Sequence, residues 1–219
     1  IIKSLKIKKN QTTITTMPAG YSYGLSILNT HLKTGAKIIL NNNTVFEKIF
    51  WQKVKKFKVN SFGGVPEFYD ILKKIDFKNY ITKHIKYLTQ AGGKLRDSTL
   101  EYIGKTSQQK QIKFFVMYGQ TEASPRISCL KWNFFFKKKK SIGKPLPGYE
   151  IKIFKNKKEL KKPFTKGELV LFGKNVSLGY AKDLNDLKKG DVNKKVLFTG
   201  DLGFKDDDNF VYLSGRTKR

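Results

Sequence analysis

Cysteine is nearly absent from this 219-residue chain; Cys129 stands alone. A single thiol excludes an internal disulfide framework and is compatible with a reducing compartment, so a cytoplasmic location is expected. Cys129 could serve as a nucleophile, but a small buried apolar role is the commoner one. Histidine is almost as scarce. His31 and His84 are isolated and read as surface or helix-packing residues. No apolar stretch approaches the roughly 20 residues of a membrane-spanning helix, so no membrane span is expected. No charged-then-apolar leader opens the sequence. The first residue is Ile1, not Met, and the chain reads as a piece of a longer protein.

Acidic residues are few: 17 Asp and Glu stand against 45 Lys and Arg, for a net charge of +28. Arginine is also rare, with only Arg96, Arg126, Arg216 and Arg219. The charge admits a nucleic-acid-binding module as an alternative reading. Base readout and bidentate phosphate contacts favour the arginine fork, however. Abundant Lys, Asn, Ile and Phe instead suggest an AT-rich genome whose surface positions drift toward lysine. The lysines are scattered, with one dense run at Lys137–Lys140. What is present is a globular composition, 39% hydrophobic and 13% aromatic, enough for one large domain or two small ones.

Up to about residue 130 the chain alternates strand-like and helix-like segments. Ala36–Leu40 reads as a strand. Thr44 is a candidate N-cap for a helix with Phe46, Ile49, Phe50, Val54 and Phe57 on its apolar face. Val59–Phe62 is a second strand, closed by Gly63 and Gly64. Pro66 suits the first turn of a helix that carries Phe68, Ile71, Leu72 and Ile75 inward. Strands at Ile85–Thr89 and Phe114–Met117 flank a helix over Leu95–Thr106. The last strand is apolar throughout, as expected for burial on both faces. Such alternation argues for a parallel α/β sheet. Beyond Lys131, Gly143, Pro145, Pro147 and Gly148 form a turn-rich connector. Short strands then follow at Glu150–Phe154, Glu168–Phe172, Val196–Phe198 and Phe210–Leu213. The expected fold is α/β: a parallel α/β subdomain (1–130), a small antiparallel β-barrel subdomain (131–213) and a hinge to a C-terminal lid domain (214–219).

Three clusters carry chemistry. Tyr118-Gly119-Gln120-Thr121-Glu122 follows the most buried strand, at the end where α/β sheets bind ligands. A tyrosine face can stack on a purine, and a hydroxyl followed by a carboxylate suits Mg²⁺. The same pentapeptide is equally a turn before a capped helix start. Phe198-Thr199-Gly200-Asp201 places a carboxylate where it can accept from two neighbouring ribose hydroxyls; it is also an ordinary Asp turn. Gly215-Arg216-Thr217-Lys218-Arg219 offers a guanidinium to ribose or phosphate oxygens, or is a solvated basic end.

In this order the clusters closely resemble the adenylate-forming superfamily of acyl-CoA synthetases, amino-acid adenylation domains and luciferases. The family pattern is an aromatic-Gly-x-Thr-Glu motif, a Gly-Glu-Leu…Gly-Tyr segment, Thr-Gly-Asp and Gly-Arg-x-(Asp/Lys). Here these are Tyr118–Glu122, Gly167-Glu168-Leu169 through Gly179-Tyr180, Thr199-Gly200-Asp201 and Gly215–Lys218. Tyr21-Ser22-Tyr23-Gly24, Val65-Pro66 and Ala91-Gly92-Gly93-Lys94-Leu95 also fall in family order. The stretch Ser141–Gly148 leans toward acyl-CoA synthetase-like members.

The resemblance implies ATP-dependent activation of a carboxylate, a small carboxylic acid or fatty acid, as an acyl-adenylate. Transfer to CoA, or to the phosphopantetheine thiol of an acyl carrier protein, follows. An amino-acid or aryl-acid adenylation domain is the alternative. Tyr118, Gly119 and the backbone of Gly92, Gly93 and Lys94 would hold the adenine, although relatives often have proline at the position of Lys94. Thr121 would contact the phosphates and Glu122 the Mg²⁺. Asp201, supported by Arg216, would bind the ribose. Tyr21 and Tyr23 would line the carboxylate pocket, with core packing the plain alternative. Lys218 takes a hinge position before a lid domain. The family's phosphate loop would precede Ile1, and without loop and lid this stretch alone is expected to turn over poorly.

Overall fold

The computed structural model describes residues 1–217. They form two compact units: Ile1–Met117 with Lys131–Lys137, and Tyr118–Leu130 with the chain from Lys138 onward.

The first unit is a parallel α/β assembly. Helix α1 (Ile2–Leu5) precedes β1 (Thr12–Ile14), α2 (Ser22–Thr34), β2 (Lys37–Ile39), α3 (Lys48–Lys56), β3 (Ser61–Gly64), α4 (Pro66–Lys74), β4 (Tyr87–Gln90), α5 (Asp97–Gln109) and β5 (Lys113–Tyr118). The strands lie in the order β2-β1-β3-β4-β5, all ladders parallel. Each is joined to the next by a helical crossover, as parallel strands require. Order reverses between β1 and β3, and the carboxyl ends of β3 and β4 share one edge, the side of such sheets that receives ligands.

Several expected elements shift. Thr44 does not cap α3. Its backbone N–H donates to Glu47 Oε1 across 2.6 Å, and Glu47 is the N-cap. Phe46 therefore precedes the helix, and Phe46, Ile49 and Phe57 are exposed while Phe50, Trp51 and Val54 are buried. Phe50 meets Trp51 and Phe62 edge to face, at 5.0 and 6.3 Å between ring centroids. On α4, Pro66 occupies the first turn as expected, but Tyr69 and Leu72 are the fully buried residues. The Tyr69 hydroxyl donates to the Thr89 carbonyl at 2.8 Å, which satisfies its polar end. Gly63 and Gly64 lie within β3 rather than closing it. His31 is buried on α2, its Nδ1 2.8 Å from the Ile27 carbonyl, and Cys129 is buried too.

The second unit is an antiparallel β assembly: β6 (Ser128–Leu130), β7 (Ser141–Pro145), β8 (Tyr149–Lys155), β9 (Lys158–Glu159), β10 (Gly167–Gly173), β11 (Val196–Lys205) and β12 (Val211–Arg216). Its strand order is β6-β7-β12-β11-β10-β8-β9. The Gly- and Pro-containing stretch read as a connector is in part strand β7. Ile151 and Ile153 of β8, Leu169 and Leu171 of β10, Ile142 and Val211 form a buried cluster with Tyr118 and Ile127. Their alternation along each strand turns one face inward.

Candidate functional site

Tyr118 ends β5. Its carbonyl accepts the Ile127 N–H at 2.7 Å, so the chain leaves the strand and folds straight back. Gly119 permits this return, because a Cβ there would lie 1.7 Å from the Pro125 carbonyl oxygen. Thr121–Ala123 form a single 3-10 turn rather than the start of a capped helix. The Tyr118 ring packs in the β cluster and is 9% exposed, so the residue expected to offer a stacking face has little of it open.

The other half comes from β11. Val170 pairs with Phe198, but Glu168 pairs with Leu202, so Thr199–Asp201 bulge out of the ladder. The bulge is built by its own sequence. The Thr199 hydroxyl donates to the Leu169 carbonyl at 2.7 Å and accepts the Asp201 N–H at 3.1 Å. Gly200 supplies the left-handed backbone, φ 71°, and its N–H reaches Glu168 Oε1 at 2.9 Å. Asp201 thus stands mid-strand on a bulge, not at a strand end, and pairs with Arg216 of β12.

The two halves meet at the Asp201 carboxylate. Oδ2 accepts from the Tyr118 hydroxyl at 2.6 Å and from Gln120 Nε2 at 2.8 Å. Gln120 also donates to the Thr199 carbonyl at 2.8 Å. Oδ1 faces Arg216 Nε at 3.5 Å, with the Asp201 side chain 16% and the Arg216 side chain 63% exposed. An ion pair that open contributes at most about 1 kcal/mol; the two short bonds to Oδ2 fix the carboxylate. Burial, then Asp201 itself, pushes the Tyr118 phenol far above its ordinary range, so Tyr118 stays protonated and donates. The result is a carboxylate held at Oδ2 by Tyr118 and Gln120, with Arg216 beside Oδ1.

Glu122 is tied to the β10–β11 connection. Tyr180 donates its hydroxyl to Glu122 Oε1, the Ser177 N–H reaches the Glu122 carbonyl at 2.8 Å, and Asn175 Nδ2 holds the Ala123 carbonyl. No group of three or more His, Cys, Asp or Glu capable of holding a metal occurs among the described residues.

Within the first unit, Gly92, Gly93 and Lys94 are exposed just beyond β4. Gln90 Nε2 pins the turn through the Gly93 carbonyl at 2.7 Å. The Tyr21 hydroxyl lies against Gly92 and Pro66 against Gly93. Tyr21 is 38% exposed, whereas Tyr23 is 2% exposed with its hydroxyl on Thr89 Oγ1 at 2.7 Å, the geometry of a packing residue. Lys218 lies outside the described residues.

The sequence model of the family described as "AMP-binding enzyme" matches residues 2–181. The chain belongs to the AMP-binding enzyme family. A similar protein is the 2-succinylbenzoate–CoA ligase of Bacillus cereus (strain Q1), 28% identical over 97% of this chain and 43% of that protein. The putative acyl-CoA synthetase YngI of Bacillus subtilis is 32% identical over 75% of this chain and 30% of its own length. Among solved structures, o-succinylbenzoate CoA synthetase (MenE) of Bacillus subtilis in complex with ATP and magnesium ion is similar over 98% of this chain and 43% of its own, at 25% identity and TM-score 0.83. The chain thus spans less than half the length of these AMP-binding relatives.

Two residues of this cluster carry little signal in the sequence. Gln120 occupies the unspecified position of aromatic-Gly-x-Thr-Glu, and nothing in the sequence distinguishes it. Tyr180 had a signal, the Gly-Tyr pair of the second motif, but its partner Glu122 lies 58 positions away.

Proposed function

We propose that the protein carrying this chain is an AMP-forming acid–thiol ligase. A substrate carboxylate oxygen bonds to the α-phosphorus of ATP and pyrophosphate leaves; a thiol sulfur then attacks the acyl carbon and AMP leaves. The observation that carries this reading is the Asp201 carboxylate, fixed through one oxygen by Tyr118 and Gln120. A prepositioned acceptor of this kind suits two vicinal ribose hydroxyls, with no reorganisation on binding.

Arg216 supports Asp201 and adds positive charge beside the sugar. The Thr121 hydroxyl is assigned to the phosphates and the exposed backbone of Gly92, Gly93 and Lys94 to adenine. Tyr21, exposed beside Gly92, is the better candidate than Tyr23 for contact with the acid. The donor set fits Mg²⁺, which is usually held by one or two carboxylates together with substrate phosphates and water; Glu122 is that carboxylate. Bound there, the ion would neutralise charge developing on the phosphates. Lys218 is assigned the hinge. The names of the relatives support CoA as the thiol and an aryl acid as the leading substrate class; a fatty acid and a carrier-protein thiol are the alternatives to each.

ATP–pyrophosphate exchange driven by a panel of aryl and aliphatic acids, followed by thioester detection with CoA, tests this on the full-length protein. Acid-dependent exchange that Asp201→Ala suppresses is expected. Failure to bind any adenine nucleotide, or unchanged ATP affinity in Asp201→Ala, overturns it.

A further inference from the structure

We propose that the segment Lys131–Lys137 is a docking element for an anionic lipid surface. Its middle residue is an anchor. Phe135 is 3% exposed, its ring 5.4 Å from that of Phe114, and it fills the space above Gly104, where a Cβ would come within 2.3 Å of Phe135 Cε1. Pinned there, the 3-10 turn Trp132–Phe134 and the residue after the anchor turn outward. Trp132 is 49%, Phe134 38% and Phe136 40% exposed.

Along the chain the rings are flanked by lysine alone. Lys113, Lys131 and Lys137 are exposed, and Lys113 Nζ lies 5.9 Å from the Trp132 ring centroid. No Asp or Glu occurs from Ala123 to Tyr149. A turn that leaves three large rings partly exposed, with Lys113, Lys131 and Lys137 exposed beside or next to them, matches the headgroup layer of a bilayer. Aromatic rings settle at that depth, and lysine stems lie along apolar surface while their ammonium groups reach lipid phosphates. At roughly 150–250 Å² per ring, about half exposed, the patch offers about 200–350 Å². That falls short of the ~800 Å² per partner of a stable protein interface. No helix among the described residues is long and apolar enough to cross a membrane, so contact of this kind lies on the surface.

The test separates ring insertion from the general attraction of a +28 chain to any anionic surface. Full-length protein is mixed with phosphatidylcholine vesicles with and without phosphatidylglycerol, some bearing bromine in the acyl chains. Trp51, the other tryptophan of this chain, is only 8% exposed, and subtracting the spectrum of Trp132→Phe isolates Trp132. Expected are a blue shift and bromine quenching of Trp132 on anionic vesicles. A Trp132→Ser/Phe134→Ser/Phe136→Ser variant, with the Phe135 anchor kept, should lose about tenfold in partitioning, most clearly in high salt. Trp132 unquenched by bromine, triple-variant binding equal to that of the parent, or binding only to single-stranded RNA each overturns the proposal. The quenching arm needs only the conservative Trp132→Phe and so does not depend on the triple variant's folding.

Discussion

The Tyr118 hydroxyl donates to Asp201 Oδ2 across 2.6 Å, joining residues 83 positions apart in the chain. A buried donor on a carboxylate contributes about 1.5–3 kcal/mol. Tyr118→Phe keeps the ring in its cluster and removes the hydroxyl, with its bond to Asp201 and the longer one it accepts from Gln120 Nε2 at 3.4 Å. The expected result is an ATP KM raised about tenfold with a smaller change in kcat. An unchanged KM in steady-state assays would remove Tyr118 from the positioning of Asp201.

Glu122→Ala should abolish Mg²⁺-dependent pyrophosphate exchange. Tyr180→Phe, which takes only a hydrogen bond from the same carboxylate, should shift the Mg²⁺ titration by less than about tenfold. Equal effects of the two variants on the Mg²⁺ dependence would mean that the carboxylate works through the turn and not through a cation.

Gly119→Ala and Gly200→Ala probe the two backbone features behind the site. The first drives a methyl into the Pro125 carbonyl and should cost about 3 kcal/mol. The second imposes φ 71° on a residue with a Cβ and should cost about 1–2 kcal/mol. Urea unfolding checks both, and a neutral Gly119→Ala would contradict the close approach.

Much of this arrangement was written in the chain, but unevenly. Phe114–Met117 announces β5 because burial on both faces needs an unbroken apolar run. Helix α2 gives a weaker signal: its buried face is Tyr23, Gly24, Ser26, Ile27 and His31, of which Gly24, Ser26 and His31 are small or polar. On α3 the apolar pattern is over-rich, and the Thr44–Glu47 turn decides which residues face in. Gly143 and Pro145 read as a turn, yet Gly143 is the β7 residue that lets the Cys129 backbone pass close by. At the site, Tyr118, Glu122 and Asp201 stood out through the resemblance of their motifs, taken in order, to the family pattern. The bulge was not, because it depends on Thr199 bonding across to Leu169.

The Asp206–Lys138 pair predicts a pH dependence of folding. The Asp206 carboxylate, 2.8 Å from Lys138 Nζ, is 6% exposed. Burial alone would raise its pKa, but Lys138 and the Phe210 N–H outweigh that and hold it below 3.8. Bonds to Asp206 and Asp208 raise the Lys138 ammonium above 10.5. The Asp206 contribution is thus present above its unfolded value and lost as pH falls through the lowered folded one. The Lys138 contribution is full below 10.5 and lost only as pH rises through the raised value. Asp206→Asn should lower the urea midpoint at pH 7, and the gap to the parent should narrow as pH falls below 3.8 and through the lowered folded value. A gap that persists in acid would assign the effect to packing.

Thr217 attaches to the site at a single atom: its N–H and its hydroxyl both end on the Gly200 carbonyl, at 2.8 and 2.9 Å. That oxygen is a mechanical clasp. Torque applied to the chain after Arg216 is delivered to the peptide joining Gly200 to Asp201, where a few degrees of rotation would re-aim the carboxylate.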